Sequence, residues 1–408
     1  MADAPRRVLL VTLPPQILGG VGSQAMTLAG HLRDTGHSVS LAYYAARSLK
    51  SHVNASLFSS VFGGHGTVEQ FVDGDGYENY VVGCRFSELE YSYSKASENW
   101  RGVFADHDRH IAVGGSPVIA NPLVDAGLPH FLWCADDLDG DRKARHEAMP
   151  IVRRAISSLV IEPVLKRQQS VVLAGSTLIR GISNFTVSRL RAHGLTDDSK
   201  IDRMPIPIDV DFFVPSANGG AAGRIGFAGR IGDPRKNAGL LFEAMTILRQ
   251  RGVEATLHIA GPRDTAMEQR VENMKIAENI EFLGVLSRED LRSFYQHLDV
   301  LVFSSLREGL GLSALEAMAC GVPVVATRCG GPDDYVRDGE TGFFAGFDAS
   351  DFADKLARVI GNRERRGQMV EVCRDTAVSG FSEIAFSQYL DEAWHQVWGE
   401  SYLLEENL

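Results

Sequence analysis

Apolar residues occur in short runs along the chain, and segments rich in glycine or polar residues separate them. Val8–Leu13 is an apolar run that predicts a first strand, and residues 25–32 place apolar side chains on one face of a helix. Gly36 predicts the end of this helix before a strand over Ser38–Tyr43. A β-loop-α-β unit of this kind typically begins a doubly wound parallel sheet, in which ligands bind beyond the carboxyl ends of the strands.

The same alternation resumes near residue 224 and predicts a second parallel sheet with helices on both faces. The predicted strands are residues 111–113, 129–134, 224–228, 256–260, 280–283, 298–303 and 322–327, and the predicted helices are 238–250, 314–319 and 382–406. Prolines stiffen the segment Met204–Asp209 between the two sheets. We therefore predict two Rossmann-like domains, 1–206 and 207–385, with a cleft between them, and a C-terminal segment, 386–408, that returns toward the first domain.

The stretch REGLGLSALEAMACGVPVVA, residues 307–326, places Glu308 in a glycine-containing turn and Glu316 in the first turn of the following helix. A helix N-terminus has unpaired N–H groups and suits an anion such as a pyrophosphate. Ionised carboxylates are acceptors only and suit sugar hydroxyls. The stretch alone also allows a capping box between Ser313 and Glu316, with Glu308 an ordinary loop acid.

Further loops are expected at the same edge, because parallel strands send their carboxyl ends in one direction. They carry Gly229, Arg230 and Lys236, then Gly261 and Gly284. Two cations and a helix N-terminus match a diphosphate, and two carboxylates match the hydroxyls of a ribose and of a second sugar. Together these residues predict a nucleotide-sugar site.

Composition narrows the class of protein. At 408 residues, with 44% hydrophobic and 23% charged residues, the chain suits a globular protein of two domains. It has no apolar run long enough to span a bilayer, and its start is typical of a strand rather than a signal peptide, so we expect a cytoplasmic protein. The five scattered cysteines indicate neither disulfides nor a zinc site. The net charge is −11, and the acidic second half of the chain argues against nucleic acid as the main partner.

Three features of the first half have more than one interpretation. The glycine-rich loop ending in Gly20 and Gly22 is either a structural turn or a phosphate contact. A tyrosine-rich patch around Trp100 is interpreted as packing rather than as a sugar-stacking surface. A basic cluster over residues 142–167 is interpreted as a solvated helix face, with weak contact to an anionic membrane as the alternative.

The second half resembles the retaining glycosyltransferases of family 4, which have the GT-B fold. The resemblance is dense from about 205 to 350, and the segment at Ile208–Phe213 fits the family's crossing between domains. The residues that carry it are Gly229-Arg230 with Lys236-Asn237, the pair Glu308 and Glu316, Glu316–Ala326, Gly330–Pro332 and Asp338–Gly342.

The resemblance implies a donor held mainly by the C-terminal domain, no cofactor and no essential metal. Arg230 and Lys236 would bind the donor diphosphate, with Arg235 as the alternative second cation. Glu308 would contact the transferred sugar and Glu316 the ribose. The other residues that the resemblance assigns to donor binding are Gly20, Gly22, Gly229, Gly261, Leu283, Val285, Gly309, Leu310, Gly311 and Leu312.

We therefore predict transfer of a hexose-type sugar from a UDP or GDP donor to a hydroxyl acceptor bound by the N-terminal domain. Glycans, lipid-linked sugars and natural products are all possible acceptors, and the oligomeric state is open. The alternatives are an epimerase or phosphorylase on the same fold, or a catalytically silent nucleotide-sugar-binding protein. The family's mid-domain histidine has no counterpart at Val113–Pro117, and Asn121, Asp136 and Asp137 are its candidate replacements.

Overall fold

The computed structural model of the protein describes residues 5–14, 20–45, 52–64, 66–87, 89–93, 95, 97–140, 142, 154–155, 157–193, 197–216 and 223–404. The chain divides into two compact units. The first unit comprises Met1–Met204 and Gln388–Leu408, and the second comprises Pro205–Ser387.

The first unit is built on an eight-stranded sheet. Its strands are β1 (Arg7–Val11), β2 (Ser38–Tyr44), β3 (Val68–Val72), β4 (Glu78–Val82), β5 (Arg109–Gly114), β6 (His130–Cys134), β7 (Leu178–Gly181) and β8 (Ile201–Arg203). Its described helices are α1 (Gly20–Asp34), α2 (Leu57–Val61), α3 (Glu98–Ala105), α4 (Asn121–Asp125), α5 (Glu162–Gly175) and α6 (Asn184–Ala192). Short helical turns lie at Glu90–Ser92, Pro117–Ala120, Ser157–Ile161 and Asp198–Lys200.

The strand order in this sheet is β3-β4-β2-β1-β5-β6-β7-β8. All neighbours pair in parallel except β3 and β4, which are antiparallel. The central strands β1, β5 and β6 are almost entirely buried, as their apolar sequences require, whereas the edge strand β3 alternates exposed and half-buried positions. The strand order reverses between β1 and β5.

The second unit is built on a six-stranded sheet. Its strands are β9 (Arg224–Ala228), β10 (Thr256–Ala260), β11 (Ile280–Gly284), β12 (Val300–Phe303), β13 (Val324–Thr327) and β14 (Gly342–Ala345). Its helices are α7 (Ala238–Gln250), α8 (Thr265–Asn273), α9 (Arg288–Gln296), α10 (Leu312–Ala319), α11 (Ala349–Ile360) and α12 (Arg363–Phe381), followed by α13 (Glu383–Trp398), which continues into the first unit. Short turns of 3-10 helix lie at Pro234–Lys236, Ala277–Asn279 and Gly331–Asp334.

The second sheet has the order β11-β10-β9-β12-β13-β14, and all of its strands are parallel. This is the doubly wound order of a Rossmann-like domain, and it reverses between β9 and β12. Ligands of such sheets bind beyond the carboxyl ends of the strands at this reversal. The prediction of an α/β protein with two Rossmann-like domains is confirmed.

Several predicted elements agree with the structure to the residue, including the strands at 224–228 and 256–260 and the helix at 238–250. The last helix is shorter than predicted. It begins after Ser382 and ends at Trp398, because Gly399 takes a left-handed φ of 73°.

Two of the side-chain interpretations in the first unit can be compared with the structure. Tyr77, Tyr80 and Trp100 are buried, as packing residues are. The basic cluster is not a uniformly solvated face, because Arg142 is buried and donates to Ser157 Oγ at 2.9 Å. Lys143, Arg145 and Arg153 of this cluster lie outside the described residues. Among the helices that the structure describes, none is both long and apolar enough to cross a membrane.

Candidate active site

The candidate site lies at the carboxyl edge of the second unit's sheet, where the strand order reverses. Gly229 and Arg230 follow β9, and Glu308 lies in the loop that follows β12. Gly261 follows β10 and Gly284 is the last residue of β11, at the same edge. The topology therefore brings most of the sequence-predicted residues of this half to one edge.

Backbone contacts join three of these loops. Gly229 N donates to Ala260 O and Gly261 N donates to Gly284 O, each at 2.8 Å. Gly261 has a φ of 146°, and a Cβ there would lie 2.0 Å from the carbonyl oxygen of Gly229. A side chain at Gly261 would therefore force the two loops apart, which explains the glycine at this position.

The central feature of the site is an ion pair between Lys236 and Glu308. Lys236 Nζ lies 2.6 Å from Glu308 Oε2, and the side chains are 17% and 18% exposed. Ser305 Oγ donates to the same carboxylate oxygen at 3.3 Å. Lys236 Nζ also lies 5.6 Å from the ring centroid of Phe303. Glu308 and Lys236 were predicted to bind different parts of one ligand, and the structure places them in direct contact.

The backbone of Glu308 is fixed by the loop after β13. Glu308 N donates to Cys329 O and Gly331 N donates to Glu308 O, each at 2.8 Å. Glu308 and Gly330 therefore pair as an isolated parallel bridge beyond the strand ends. The carboxylate projects from a backbone held on its edge by hydrogen bonds, which limits its freedom.

The structure separates the two candidates for the second cation. Arg235 turns to Asp233, with its Nη2 2.7 Å from the carboxylate, and its side chain is 49% exposed. Lys236 instead lies against Glu308, and its Cε is 3.8 Å from the position of a Cβ on Gly229. Arg230 is 65% exposed and lies 3.8 Å from Asp233. Burial alone would raise the pKa of Asp233, but hydrogen bonds from Arg235 keep it lowered.

Helix α10 begins at Leu312, two residues before the predicted start at Ala314. Gly311 precedes it with a φ of 86°, and a Cβ there would lie 2.6 Å from Tyr335 Oη. The first N–H bonded within this turn is that of Ala314, so those of Leu312 and Ser313 point beyond the helix end. The first turn of α10 contains no acidic residue, which leaves its positive dipole available for an anion.

The residues around this helix start differ in exposure. Gly309 and Leu312 are half-buried, whereas Leu310 is 3% exposed. The carbonyl oxygen of Leu310 accepts from the buried Tyr335 Oη at 2.8 Å. Leu310 can therefore serve a ligand only through its N–H group, since its side chain belongs to the core.

The structure corrects the interpretation of Glu316. Glu316 is the fifth residue of α10 rather than the third, so it lies beyond the first turn, and Gly311 rather than Ser313 occupies the N-cap. Ser313 Oγ donates to Ala228 O at 3.3 Å, and Glu316 Oε2 accepts from Tyr295 Oη at 2.7 Å. The register of a capping box is thus lost. Burial raises the pKa of Glu316 to about 7, and the hydrogen bond from Tyr295 partly offsets this rise.

Two further predicted residues lie at the end of β11. Leu283 is half-buried, and Val285 is 76% exposed just beyond the strand. Both follow the same edge as Gly261 and Gly284. An exposed valine next to a turn gives this edge an apolar face.

The predicted residues of the first unit are placed differently from expectation. Gly20 and Gly22 lie in the first turn of α1 rather than in a loop. Asp137 is buried and accepts from Arg189 and His193, so its pKa is lowered although burial alone would raise it. Asn121 donates to Asp125 at 3.1 Å. Asp137 is therefore engaged in an internal network that leaves Asp136 the more accessible candidate.

Sequence reasoning missed three residues that shape the site, namely Ser305, Tyr335 and Tyr295. Each holds another residue in place and carries no motif of its own. Ser305 lies just beyond the predicted strand at 298–303. Tyr295 lies on α9, 21 positions before Glu316, and nothing in its sequence neighbourhood marks it as a partner.

A comparison with protein families finds a match over most of the second unit. Residues 219–375 match the family described as glycosyl transferases group 1. This range contains every candidate residue of the second unit, and the match supports a transferase enzyme.

Curated glycosyltransferases match parts of the chain. A D-inositol 3-phosphate glycosyltransferase of Arthrobacter sp. (strain FB24) is 29% identical over 214 residues, covering 48% of this chain and 51% of the relative. A GDP-mannose-dependent alpha-(1-6)-phosphatidylinositol monomannoside mannosyltransferase of Mycolicibacterium smegmatis is 30% identical over 201 residues, covering 44% and 51%. The chain spans about half the length of these curated relatives.

Solved structures match nearly the whole chain. Sucrose-phosphate synthase from Thermosynechococcus elongatus superposes with a TM-score of 0.71 at 16% identity, covering 96% of this chain and 99% of that one. Anabaena HepE in complex with UDP-glucose gives 0.66 at 15% identity, covering 95% and 98%. These neighbours are glycosyltransferase structures of the GT-B type, so the predicted fold class holds for both units.

Proposed function

We propose that the protein is a retaining glycosyltransferase of family 4 that transfers a hexose-type sugar from a nucleoside diphosphate to a hydroxyl acceptor. The observation that carries the proposal is the ion pair between Lys236 and Glu308. It lies where the second sheet reverses its strand order, within the range that matches group 1 glycosyl transferases. One cation and one carboxylate in contact suit the junction between a diphosphate and a sugar.

Each residue has a part in holding the donor. Lys236, Arg230 and the N-terminal N–H groups of α10 would bind the diphosphate and stabilise its charge as the glycosidic bond breaks. Glu308 would accept from hydroxyls of the transferred sugar, and Glu316 from the ribose. The turn at Gly261 and the residues Leu283 and Val285 would flank the base.

The reaction would retain the anomeric configuration. The acceptor hydroxyl would attack from the face that the leaving group occupies, and a phosphate oxygen would take its proton. The cations and the helix dipole already supply positive charge at the diphosphate, so we propose that no metal is essential. Asp136 is the more accessible of the candidates in the first unit for the role of the missing histidine.

Two donors are the first to test. UDP-glucose is the ligand of HepE, and GDP-mannose is the donor of the mycobacterial relative. The acceptors in the relatives' names are inositol phosphates and phosphatidylinositol mannosides, so hydroxyls of this kind are the first acceptors to offer. Weak membrane contact through the basic cluster and a cytoplasmic location stay predictions from the sequence.

The proposal is tested by calorimetric titration of the protein with UDP, GDP, ADP and dTDP in the presence of a chelator. We expect one nucleotide to bind selectively without metal. In Glu316→Ala we expect its affinity to fall at least about tenfold, since a hydrogen bond to a charged group is removed. Thermal unfolding of the variant serves as the control for folding.

Turnover then separates an enzyme from a binding protein. With the bound nucleotide's sugar as donor, we expect release of nucleoside diphosphate in the presence of inositol-type acceptors and a product of unchanged anomeric configuration by NMR. Donor binding without release for any acceptor would support the silent binding protein instead. Inversion at the anomeric carbon would contradict the retaining mechanism, and activity that requires added Mg²⁺ would contradict metal independence.

A further inference from the structure

Tyr295 lies behind the candidate ribose-binding carboxylate and is completely buried. Its hydroxyl donates to Glu316 Oε2 at 2.7 Å, from helix α9 to helix α10. A buried tyrosine hydroxyl needs a hydrogen-bond partner, and here the partner is a carboxylate on the neighbouring helix. The bond therefore fixes one oxygen of Glu316 from the protein side.

The ring of Tyr295 is itself held by aromatic packing. Phe213 meets it edge to face at a centroid distance of 5.8 Å, and Phe294 lies at 5.5 Å. Both are buried. A hydroxyl on so confined a ring cannot follow a moving carboxylate, so it defines where that carboxylate must lie.

Glu316 is only partly covered, although its partner is fully buried. A carboxylate has about four lone-pair positions on two oxygens. Tyr295 occupies one of them and leaves the others for ligand hydroxyls. This arrangement is what bidentate binding of a ribose diol requires.

We propose that Tyr295 is a positioning residue, which orients the carboxylate of Glu316 for the hydroxyls of the donor ribose. The inference rests on the proposed function, because it assigns Tyr295 to the donor site described above. Tyr295 does not touch the donor itself. It acts through Glu316, and its contribution is to donor affinity rather than to the chemical step.

The charges around the pair give the proposal a pH dependence. Burial raises the pKa of Glu316 to about 7, while Tyr295 and then Arg288 on α9 act to lower it. Cys320, the residue that follows α10, faces the pair, with Arg374 of α12 and Arg292 of α9 beyond it. Burial raises the pKa of Cys320 to about 12. A carboxylic acid accepts fewer hydrogen bonds than a carboxylate, so donor affinity should fall as the pH drops below about 7.

The test compares wild type with Tyr295→Phe, which keeps the ring and removes the hydroxyl. UDP-glucose and GDP-mannose are titrated calorimetrically, because their esterified diphosphates do not titrate near neutral pH. We expect about tenfold weaker binding of the preferred donor in the variant, because the bond to a charged group is lost. We also expect the fall in affinity with decreasing pH to begin at a higher pH, since the hydroxyl no longer stabilises the carboxylate. In turnover, KM for the donor should rise while kcat changes less than about threefold.

A double-mutant cycle separates positioning from general damage. In Glu316→Ala there is no carboxylate to orient, so adding Tyr295→Phe should change donor affinity by less than about twofold. Tyr402→Phe is the matched control, because it removes another fully buried tyrosine hydroxyl, one that contacts His31 in the first unit. It should leave donor affinity unchanged.

Each failure has a distinct signature. If the wild type binds no sugar nucleotide, the proposed function fails. If the wild type binds and Glu316→Ala does not, but Tyr295→Phe binds as the wild type does, only the positioning role is overturned. Equal losses in Tyr295→Phe and Tyr402→Phe would likewise overturn it, because they would reflect stability rather than orientation.

Discussion

The contact between Lys236 and Glu308 would place a cation and a carboxylate at adjoining parts of the proposed donor. The ammonium group has three donors, and Glu308 takes one of them in the structure. The others can reach a phosphate oxygen without breaking the pair. Glu308 in turn orients a lysine whose flexible stem would otherwise sample many rotamers. The pair is thus a preorganised unit, and its two members can be tested separately.

The assignment of the second cation predicts opposite outcomes for adjacent substitutions. Lys236→Ala should lower the affinity for the preferred nucleoside diphosphate by about 1.5–3 kcal/mol, because it removes a charged hydrogen-bond donor from the site. Arg235→Ala is the matched control and should change it by less than about 0.5 kcal/mol, since Arg235 pairs with Asp233 and is half exposed. Calorimetric titration of both variants with the nucleoside diphosphate measures the two changes in affinity. A larger loss in Arg235→Ala would reassign the cation.

Neutralising Glu308 should separate diphosphate binding from sugar transfer. In Glu308→Gln the positive charge of Lys236 is no longer compensated, so the free nucleoside diphosphate should bind a few-fold more tightly. Sugar transfer should nevertheless slow by about a hundredfold or more, because the acceptor for sugar hydroxyls is lost. The measurements are calorimetry with the nucleotide and kcat with donor and acceptor. Weaker nucleotide binding in this variant would contradict the role of the pair.

The sequence predicted the residue types of the candidate site but not their contacts. Glu308, Glu316 and Lys236 stood out because cations beside a helix start match a diphosphate and carboxylates match sugar hydroxyls. Their partners did not, since Lys236 and Glu308 are 72 positions apart and Tyr295 lies on a different helix from Glu316. Such contacts depend on the path of the chain in three dimensions, which local patterns do not encode.

At the scale of elements, the start of α10 depends on one glycine. Gly311 takes a φ of 86° and lies against Tyr335, Phe303 and Glu308, so its position is fixed by sterics on several sides. It sets where the helix begins and thus where its terminal N–H groups point. The same glycine explains why a capping-box pattern over Ser313 and Glu316 was misleading.

We predict that Gly311→Ala lowers the free energy of unfolding by about 1–3 kcal/mol, because it forces a left-handed φ on a residue with a Cβ. Nucleotide affinity should fall with it, since the helix start must shift. Gly367→Ala in α12 is the control, because a Cβ there meets no atom within 4 Å. Gly367→Ala should raise the free energy of unfolding by about 0.5–1 kcal/mol. Urea unfolding followed by far-UV circular dichroism measures the free energy of unfolding of both variants. Equal changes in the two variants would contradict the steric argument.

Element boundaries were predicted well where glycine, proline or asparagine separates two elements. Strand β9 and helix α7 were correct to the residue, because glycine, proline and asparagine lie between them. The predicted strand at 322–327 is shorter, beginning at Val324 after Pro323, which has no N–H to donate. The end of α13 was placed eight residues too late, since the apolar pattern continues past the left-handed Gly399.

At the scale of the whole molecule, titratable groups are distributed unequally between the units. Ten of the twelve histidines belong to the first unit. His37, His107, His110 and His130 are buried there, and burial lowers the pKa of each. The largest of these effects is at His110, whose pKa is lowered to about 4. No local sequence pattern predicts these pKa changes, because burial of a polar side chain depends on the fold.

The buried histidines predict that the first unit loses stability in acid. Unfolded His110 binds a proton near pH 6.5, whereas the folded unit excludes it down to about 4, so stability falls as the pH decreases between these values. At a pH of about 5 the loss from His110 alone is about 2 kcal/mol. His110→Gln removes this titrating group. Between pH 7.5 and about 5, the variant should therefore lose about 2 kcal/mol less free energy of unfolding than the wild type does.

His297→Gln is the control, because His297 is an exposed residue of the second unit. This substitution should leave the acid-induced loss of unfolding free energy unchanged. All four tryptophans lie in the first unit, so urea unfolding followed by tryptophan fluorescence reports on that unit, and an unchanged acid loss in His110→Gln would refute the assignment.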